Sequence, residues 1–199
     1  TFQAYENGHY SNQIHPYLIE RDEFVRYPVD RDKMASLKPA FMEDGSVTAA
    51  TCSPLTDGAT SGWVTSTTVA RAAGFSTALQ VLDVTVAHVA PDVMGLGPVP
   101  ATRMLLERNE LQPDEVAAYE INEAFAVVTM AAVRELGLDE DKVNINGGAC
   151  ALGHPIGASG ARIIVTLLAA LERHNLRRGV AALCIGGGEA TAIAIERLG

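Results

Sequence analysis

Several things are scarce in this chain, and each scarcity excludes a class of function. Its three cysteines, at 52, 150 and 184, form neither a Cys-x-x-Cys pair nor an even-numbered framework. That argues against a disulfide scaffold and fits a reducing, intracellular compartment. No stretch reaches the roughly 18 apolar residues of a membrane span, and the start of the chain lacks a signal-peptide pattern. The longest apolar run, Ile163 to Leu171, is interrupted by Thr166 and reads as a buried core helix. Positive charge is short too: 15 Lys and Arg face 24 Asp and Glu, for a formal net charge of −9. Such a balance does not suit a general nucleic-acid binder or an anionic membrane surface. The histidines at 9, 15, 88 and 174 show no metal-ligand spacing, and no metal site is expected. There is no phosphate-binding Gly-x-x-x-x-Gly-Lys-Ser/Thr motif, no internal repeat and no low-complexity tract.

At 199 residues and 48% hydrophobic, the chain is long enough for one sizeable core, with room for an appendage. Residues 1–45 are aromatic, charged and without clear periodicity, broken by Pro28 and Pro39, and read as the end of a loop-rich subdomain. Residues 46–199 form the main domain, where short apolar runs alternate with helical patterns. Strands are predicted at 46–50, 61–65, 79–89, 116–121, 143–146, 180–185 and 191–195. Helices are predicted at 66–73, closed by Gly74, at 98–109 behind a Pro-Val-Pro opening, at 122–136, stopped by Gly137, and at 157–174. The alternation implies an α/β architecture, with a mixed β-sheet covered by helices on both faces.

Three separated motifs carry the chemistry. Asn122-Glu123-Ala124-Phe125 follows a predicted strand, and Asn122 suits either a helix N-cap or a hydrogen-bond donor toward a developing oxyanion. His154 lies in a glycine-rich loop, Gly147 to Gly157, ahead of a long core helix. A helix N-terminus disfavours imidazolium and so keeps a neutral base available. The bland alternative is a loop histidine tied to backbone carbonyls. Cys184 ends a buried strand before Gly186, Gly187 and Gly188. A thiol held there would share a cavity with bare backbone N–H donors, although an inert buried cysteine before a glycine hairpin has the same pattern. Cys52 and Cys150, beside small residues, read as packed thiols.

Taken together, and with Leu37-Lys38-Pro39-Ala40-Phe41, Gly45-Ser46-Val47-Thr48-Ala49, Leu55-Thr56-Asp57-Gly58-Ala59 and Met94 through Ala101, these motifs resemble the C-terminal half of thiolases. The resemblance implies a thiolase-like half fold and an acyl-CoA C-acetyltransferase performing Claisen condensation and thiolysis of 3-ketoacyl-CoA. By the same resemblance Cys184 is the acid/base at the α-carbon of an acetyl thioester, and His154 activates a nucleophilic cysteine. Asn122 anchors a water in one oxyanion hole, and the Gly186 N–H forms half of a second. Ser53, Met94 and Phe125 line the pantetheine and acyl channel. Coenzyme A and acetyl-CoA enter as substrates, with no permanently bound cofactor. Cys184-Ile185-Gly186-Gly187-Gly188 resembles the acetoacetyl-CoA-forming branch, whereas Cys52 through Asp57 resembles the fatty-acid-oxidation branch, so acyl-chain length stays open.

The family's nucleophilic cysteine belongs to the N-terminal half, and its position would precede Thr1. A chain opening on Thr reads as processed, cut or an excerpt. The expected partners are therefore the N-terminal thiolase half and further subunits of a homo- or hetero-oligomer. This chain alone is expected to be inactive, in the cytoplasm or in a mitochondrial or peroxisomal matrix. The alternative is a non-catalytic subunit that binds CoA thioesters or assists assembly. A related ketoacyl or hydroxymethylglutaryl synthase fits less well, because the cysteine in the glycine turn favours thiolase.

Overall fold

Strands form in this chain where a stretch of β-favouring residues finds a neighbour, and among the described residues four stretches do. A computed structural model describes residues 1–17, 19–75 and 78–198. Three short helices come first: α1 (Phe2–Glu6), α2 (Arg31–Ala35) and α3 (Thr67–Ala72). Asp30 and Ser66 cap α2 and α3 by accepting from the backbone N–H three residues on, and Gly74 follows α3 at φ +71°. Next come β1 (Ala78–His88), α4 (Pro98–Arg108), β2 (Ala118–Ile121), α5 (Ala126–Leu136), α6 (Ala149–Leu152), α7 (Ile156–Arg173), β3 (Arg178–Cys184) and β4 (Glu189–Leu198).

The strand order is β1-β4-β3-β2, with β2 parallel to β3 and the other two pairings antiparallel. The sheet is therefore mixed, as expected. Helices α4 and α5 cover one face, where Leu105, Val128 and Ala132 pack on Tyr119, Ile121, Val180 and Ala192. Helix α7 covers the other, with Ile163, Leu167 and Leu171 against Ala118, Ala181 and Ile195. The spacing of those three α7 residues is the one-face repeat of a helix. Each fully buried aliphatic side chain contributes about 1.5–3 kcal/mol relative to exposure. The cover is incomplete on β1, where Val84 and Val86 remain about half exposed on the face opposite Thr85 and Ala87.

Four expectations are corrected. Residues 46–50 make only an isolated bridge, Thr48 to Pro39, because Thr48 and Thr51 turn their hydroxyls onto the local backbone. Residues 61–65 are not a strand: Trp63 and Val64 are 86% and 99% exposed, with no sheet edge beside them among the described residues. At 143–146 only Val143 bridges, to Tyr119, before Asn144 turns to φ +47° and ends the run. Helix α5 begins at Ala126 with Phe125 at its N-cap, so Asn122 is not the cap. The glycine turn between β3 and β4 is present, and Gly188 sits at φ +100° where a Cβ would collide with the carbonyl oxygen of Val89.

Candidate active site

The parallel pairing of β2 with β3 sets the site. Ile121 stands opposite Ala182, and the Asn122 N–H donates to the Ala182 carbonyl at 3.0 Å. Asn122 thus leaves the sheet at the carboxyl end of β2, next to the end of β3 where Cys184 lies. Carboxyl ends of adjacent parallel strands are where open α/β sheets assemble their sites. Residues 122–125 are held clear of helical geometry by an outside strap. Ala126 N–H donates to Thr51 O, Ser53 N–H and Ser53 Oγ both donate to Ala124 O, and Cys52 bridges Phe125. The same strap continues to the histidine loop, where His154 N–H donates to Pro54 O at 3.1 Å.

His154 stands between two partners. Asn122 Nδ2 is 3.4 Å from His154 Nε2, and Ser159 Oγ is 2.6 Å from His154 Nδ1. The single hydroxyl proton of Ser159 goes to Pro155 O at 3.0 Å. Ser159 Oγ therefore accepts from Nδ1–H, and Nε2 carries the free lone pair that faces the Asn122 amide. Burial holds the His154 pKa below its ordinary value, and the positive charge of Arg162 lowers it further. The imidazole is thus a neutral base with a fixed tautomer, and the bland reading of a loop histidine bonded only to carbonyls does not describe it. Asn122 itself is 1% exposed.

Cys184 is buried and packs with the α4–α5 cluster, on the face that also carries Ile121 and Ala182. Burial raises its pKa, only partly offset by its own backbone N–H, so at neutral pH it is a thiol with a proton to give. Among the described residues it makes no hydrogen bond to Asn122 or His154. The structure therefore brings Asn122 and His154 into contact and holds Cys184 at the neighbouring strand end. Gly186 stands in the open turn after Cys184, with free space where a Cβ would be.

Met94 and Phe125 line one largely apolar cavity of about 350 Å³ with Phe41, Val47 and Val128, while Ser53 lies outside its lining, in the strap. Cys150 and Cys52 both have raised pKa values from burial, Cys150 to about 12 with added repulsion from Glu123, which suits packed thiols. Sequence reasoning missed Ser159, whose signal was its place five residues after His154 in the first turns of α7. It also missed Glu123, which accepts from Asn144 Nδ2 at 2.8 Å and from Cys150 N–H at 3.0 Å and so pins the two loops together.

The family model of the thiolase C-terminal domain matches residues 76–197, and that of the thiolase N-terminal domain matches residues 3–67. The chain belongs to the thiolase family. An acetyl-CoA acetyltransferase of Cupriavidus necator is 45% identical over 98% of this chain and 52% of its own length. The cytosolic acetyl-CoA acetyltransferase of Rattus norvegicus is 43% identical over the same shares. Among solved structures, the Bacillus anthracis acetyl-CoA acetyltransferase superposes with a TM-score of 0.91 at 41% identity, covering 99% of this chain and 52% of that one. Human mitochondrial 3-ketoacyl-CoA thiolase in complex with CoA gives 0.90 at 31%, over 100% and 51%. This thiolase-family chain spans about half the length of the relatives it matches.

Proposed function

We propose that this chain supplies the C-terminal catalytic half of an acyl-CoA C-acetyltransferase, working with an N-terminal thiolase half that carries the nucleophilic cysteine. The observation that carries the reading is the chain Asn122–His154–Ser159, which turns the unprotonated Nε2 to the buried Asn122 amide at the end of β2. The partner half's cysteine gives its proton to His154 Nε2 as it takes the acyl group of a first acetyl-CoA, and the departing CoA thiolate takes the Cys184 proton. In condensation Cys184, now a thiolate, takes the α-proton of a second acetyl-CoA, and the enolate oxygen is held by the His154 Nε2–H so formed, with a water on Asn122. The carbanion attacks the acyl group on the partner half's cysteine, whose thiolate leaves, and acetoacetyl-CoA forms. The Gly186 N–H faces the acyl carbonyl oxygen during that step. Thiolysis is the reverse, with Cys184 returning the proton.

The apolar cavity at Met94 and Phe125 suits the pantetheine and acyl groups, and Ser53 sits where its strap orders the approach to His154. Coenzyme A and acetyl-CoA are the substrates, and no permanent cofactor is part of the reading. Residues 1–45 are the end of a loop-rich subdomain and 46–199 the C-terminal unit, a division supported by the ties of residues 51–54 to Ala124, Ala126 and His154. The exposed side chains of Leu55, Trp63 and Val64, together with Val84 and Val86, offer the partner half apolar surface. Further subunits complete an oligomer in the cytoplasm or an organelle matrix, and this chain alone does not turn over.

The test is co-expression with an N-terminal thiolase half and a CoA-dependent acetoacetyl-CoA cleavage assay. Turnover that depends on both halves and on Cys184 supports the reading. A well-folded pair without turnover sinks it. Turnover unchanged by Cys184→Ala would instead assign this chain a non-catalytic role in binding CoA thioesters or in assembly.

A further inference from the structure

Glu120 lies two residues before Asn122 on β2, on the face that Ala118 turns toward α7. It is 2% exposed, and its Oε1 is buried without a hydrogen-bond partner. Two other segments deliver buried donors in the same condition: Arg162 Nε from α7, and Asn146 Nδ2 from the loop ahead of α6. Among the described residues the guanidinium makes no ion pair with Glu120, and its Nη1 bonds Thr166 Oγ1 at 3.4 Å. Tyr10 ties the group together. Its hydroxyl donates to Asn146 O at 2.6 Å, and it lies near both Glu120 and Arg162. Beside it, His9 Nδ1 is 2.9 Å from Asn146 Oδ1. One acceptor and two donors, from three segments sealed by a fourth, are thus closed off from solvent, and the proposed chemistry uses none of them.

We infer that Glu120 Oε1, Arg162 Nε and Asn146 Nδ2 enclose an internal hydration site, about one or two waters in extent, on the α7 side of β2. Water is the ligand class because one molecule both donates to a carboxyl oxygen and accepts from a guanidinium and an amide. A cation would meet Arg162, and an anion would meet the oxygen of Glu120 with Glu123 behind it. The charge state agrees. Burial pushes the Glu120 carboxyl up to about 8, against the pull of Arg162 and with the push of Glu123. A neutral acid both donates and accepts, which suits a water bridge better than a bare ion would. The site fastens residues 1–10 to the floor beneath Asn122 and stands whether or not the catalytic reading holds.

Oxygen-17 magnetic relaxation dispersion of the purified chain counts long-lived internal waters directly. We expect the wild type to show them, Glu120→Gln to keep them, and Glu120→Leu to lose about one or two. An equal count in wild type and Glu120→Leu overturns the inference, as does a wild type with none. If Glu120→Leu fails to fold, a high-resolution crystal structure of Glu120→Gln grown in bromide decides. Water density between position 120 and Arg162 Nε supports the site, while anomalous bromide signal or empty density there overturns it. Turnover enters none of these readouts, so failure here and failure of the thiolase reading are separate events.

Discussion

Residues 59–65 and β4 are built from similar material, small residues mixed with β-branched ones, yet they end in different states. In β4 every alternate residue from Ala190 to Ala194 is buried between β1 and β3. In 59–65, the Trp63 ring meets Phe75 edge-on at 6.1 Å while remaining 86% exposed, and Val64 is bare. The difference lies in the neighbours. β4 has a strand on each side, while the other segment has no strand beside it among the described residues and turns Trp63 and Val64 to water. Strand propensity records a fit to a pleated, half-buried surface, and it has no meaning until that surface exists.

The contrast extends to chemistry, since Asn122, His154 and Cys184 all belong to the sheet-bearing part. The largest expected effect is therefore there. In the reconstituted pair, His154→Ala lowers kcat about 10²–10⁴-fold, the usual range for a lost acid/base group. A loss below tenfold would remove His154 from the chemistry. Next comes the core: Leu167→Ala destabilises the chain by about 2–5 kcal/mol in urea unfolding. Ser159→Ala frees the imidazole tautomer and lowers kcat by roughly tenfold, an effect in line with a lost charge-orienting hydrogen bond of about 1.5 kcal/mol. Ser159→Thr keeps the hydroxyl and should recover part of it.

A pH effect follows from the same residue. The folded state holds His154 below its unfolded value of 6.5, so the unfolded chain takes up the proton first as pH falls. This contribution to stability is whole above pH 6.5 and is lost as pH drops through the folded value. The acid limb of the kcat profile should likewise lie below 6.5, and a limb at or above 6.5 would contradict the depressed imidazole. The smallest effect is at Trp63→Ala, within about 0.5 kcal/mol for the chain alone, as for other exposed side chains. Adding an N-terminal half should enlarge that value. If it is already large without one, residues 59–65 are packed in solution and the contrast with β4 fails.

Much of this molecule was legible in the residues because its signals are local. The repeat of apolar residues over Ile163, Leu167 and Leu171 specifies α7 and its buried face, and Gly74 and Gly137 mark helix ends by their left-handed φ. The motifs at Asn122 and Cys184 marked strand ends correctly, and the glycine-rich motif at His154 marked the loop ahead of α7. Asn122 as an N-cap was misleading because the strap at 51–54, remote in sequence, competes for the backbone of 124–126 and delays the helix to Ala126. Asn144 hid a shortened strand for a similar reason: its side chain bonds both the N–H and the carbonyl of Ile121, replacing the pairing that more backbone would have made. Ser159 was missed because only the first turns of a folded α7 swing it back under His154.

The strand order has a consequence for biosynthesis. Among the described residues β1 is joined to the sheet only through β4, which follows β2 and β3 in the sequence. During translation β1 emerges before the other three strands and must wait, with its backbone N–H and C=O groups unpaired, until β4 follows to pair it. A nascent chain of this kind is at its most vulnerable to aggregation just before β4 emerges. A pause or truncation inside β4 would leave Cys184 already made but the sheet unclosed, so such products should be cleared by quality control rather than accumulate as partly working protein.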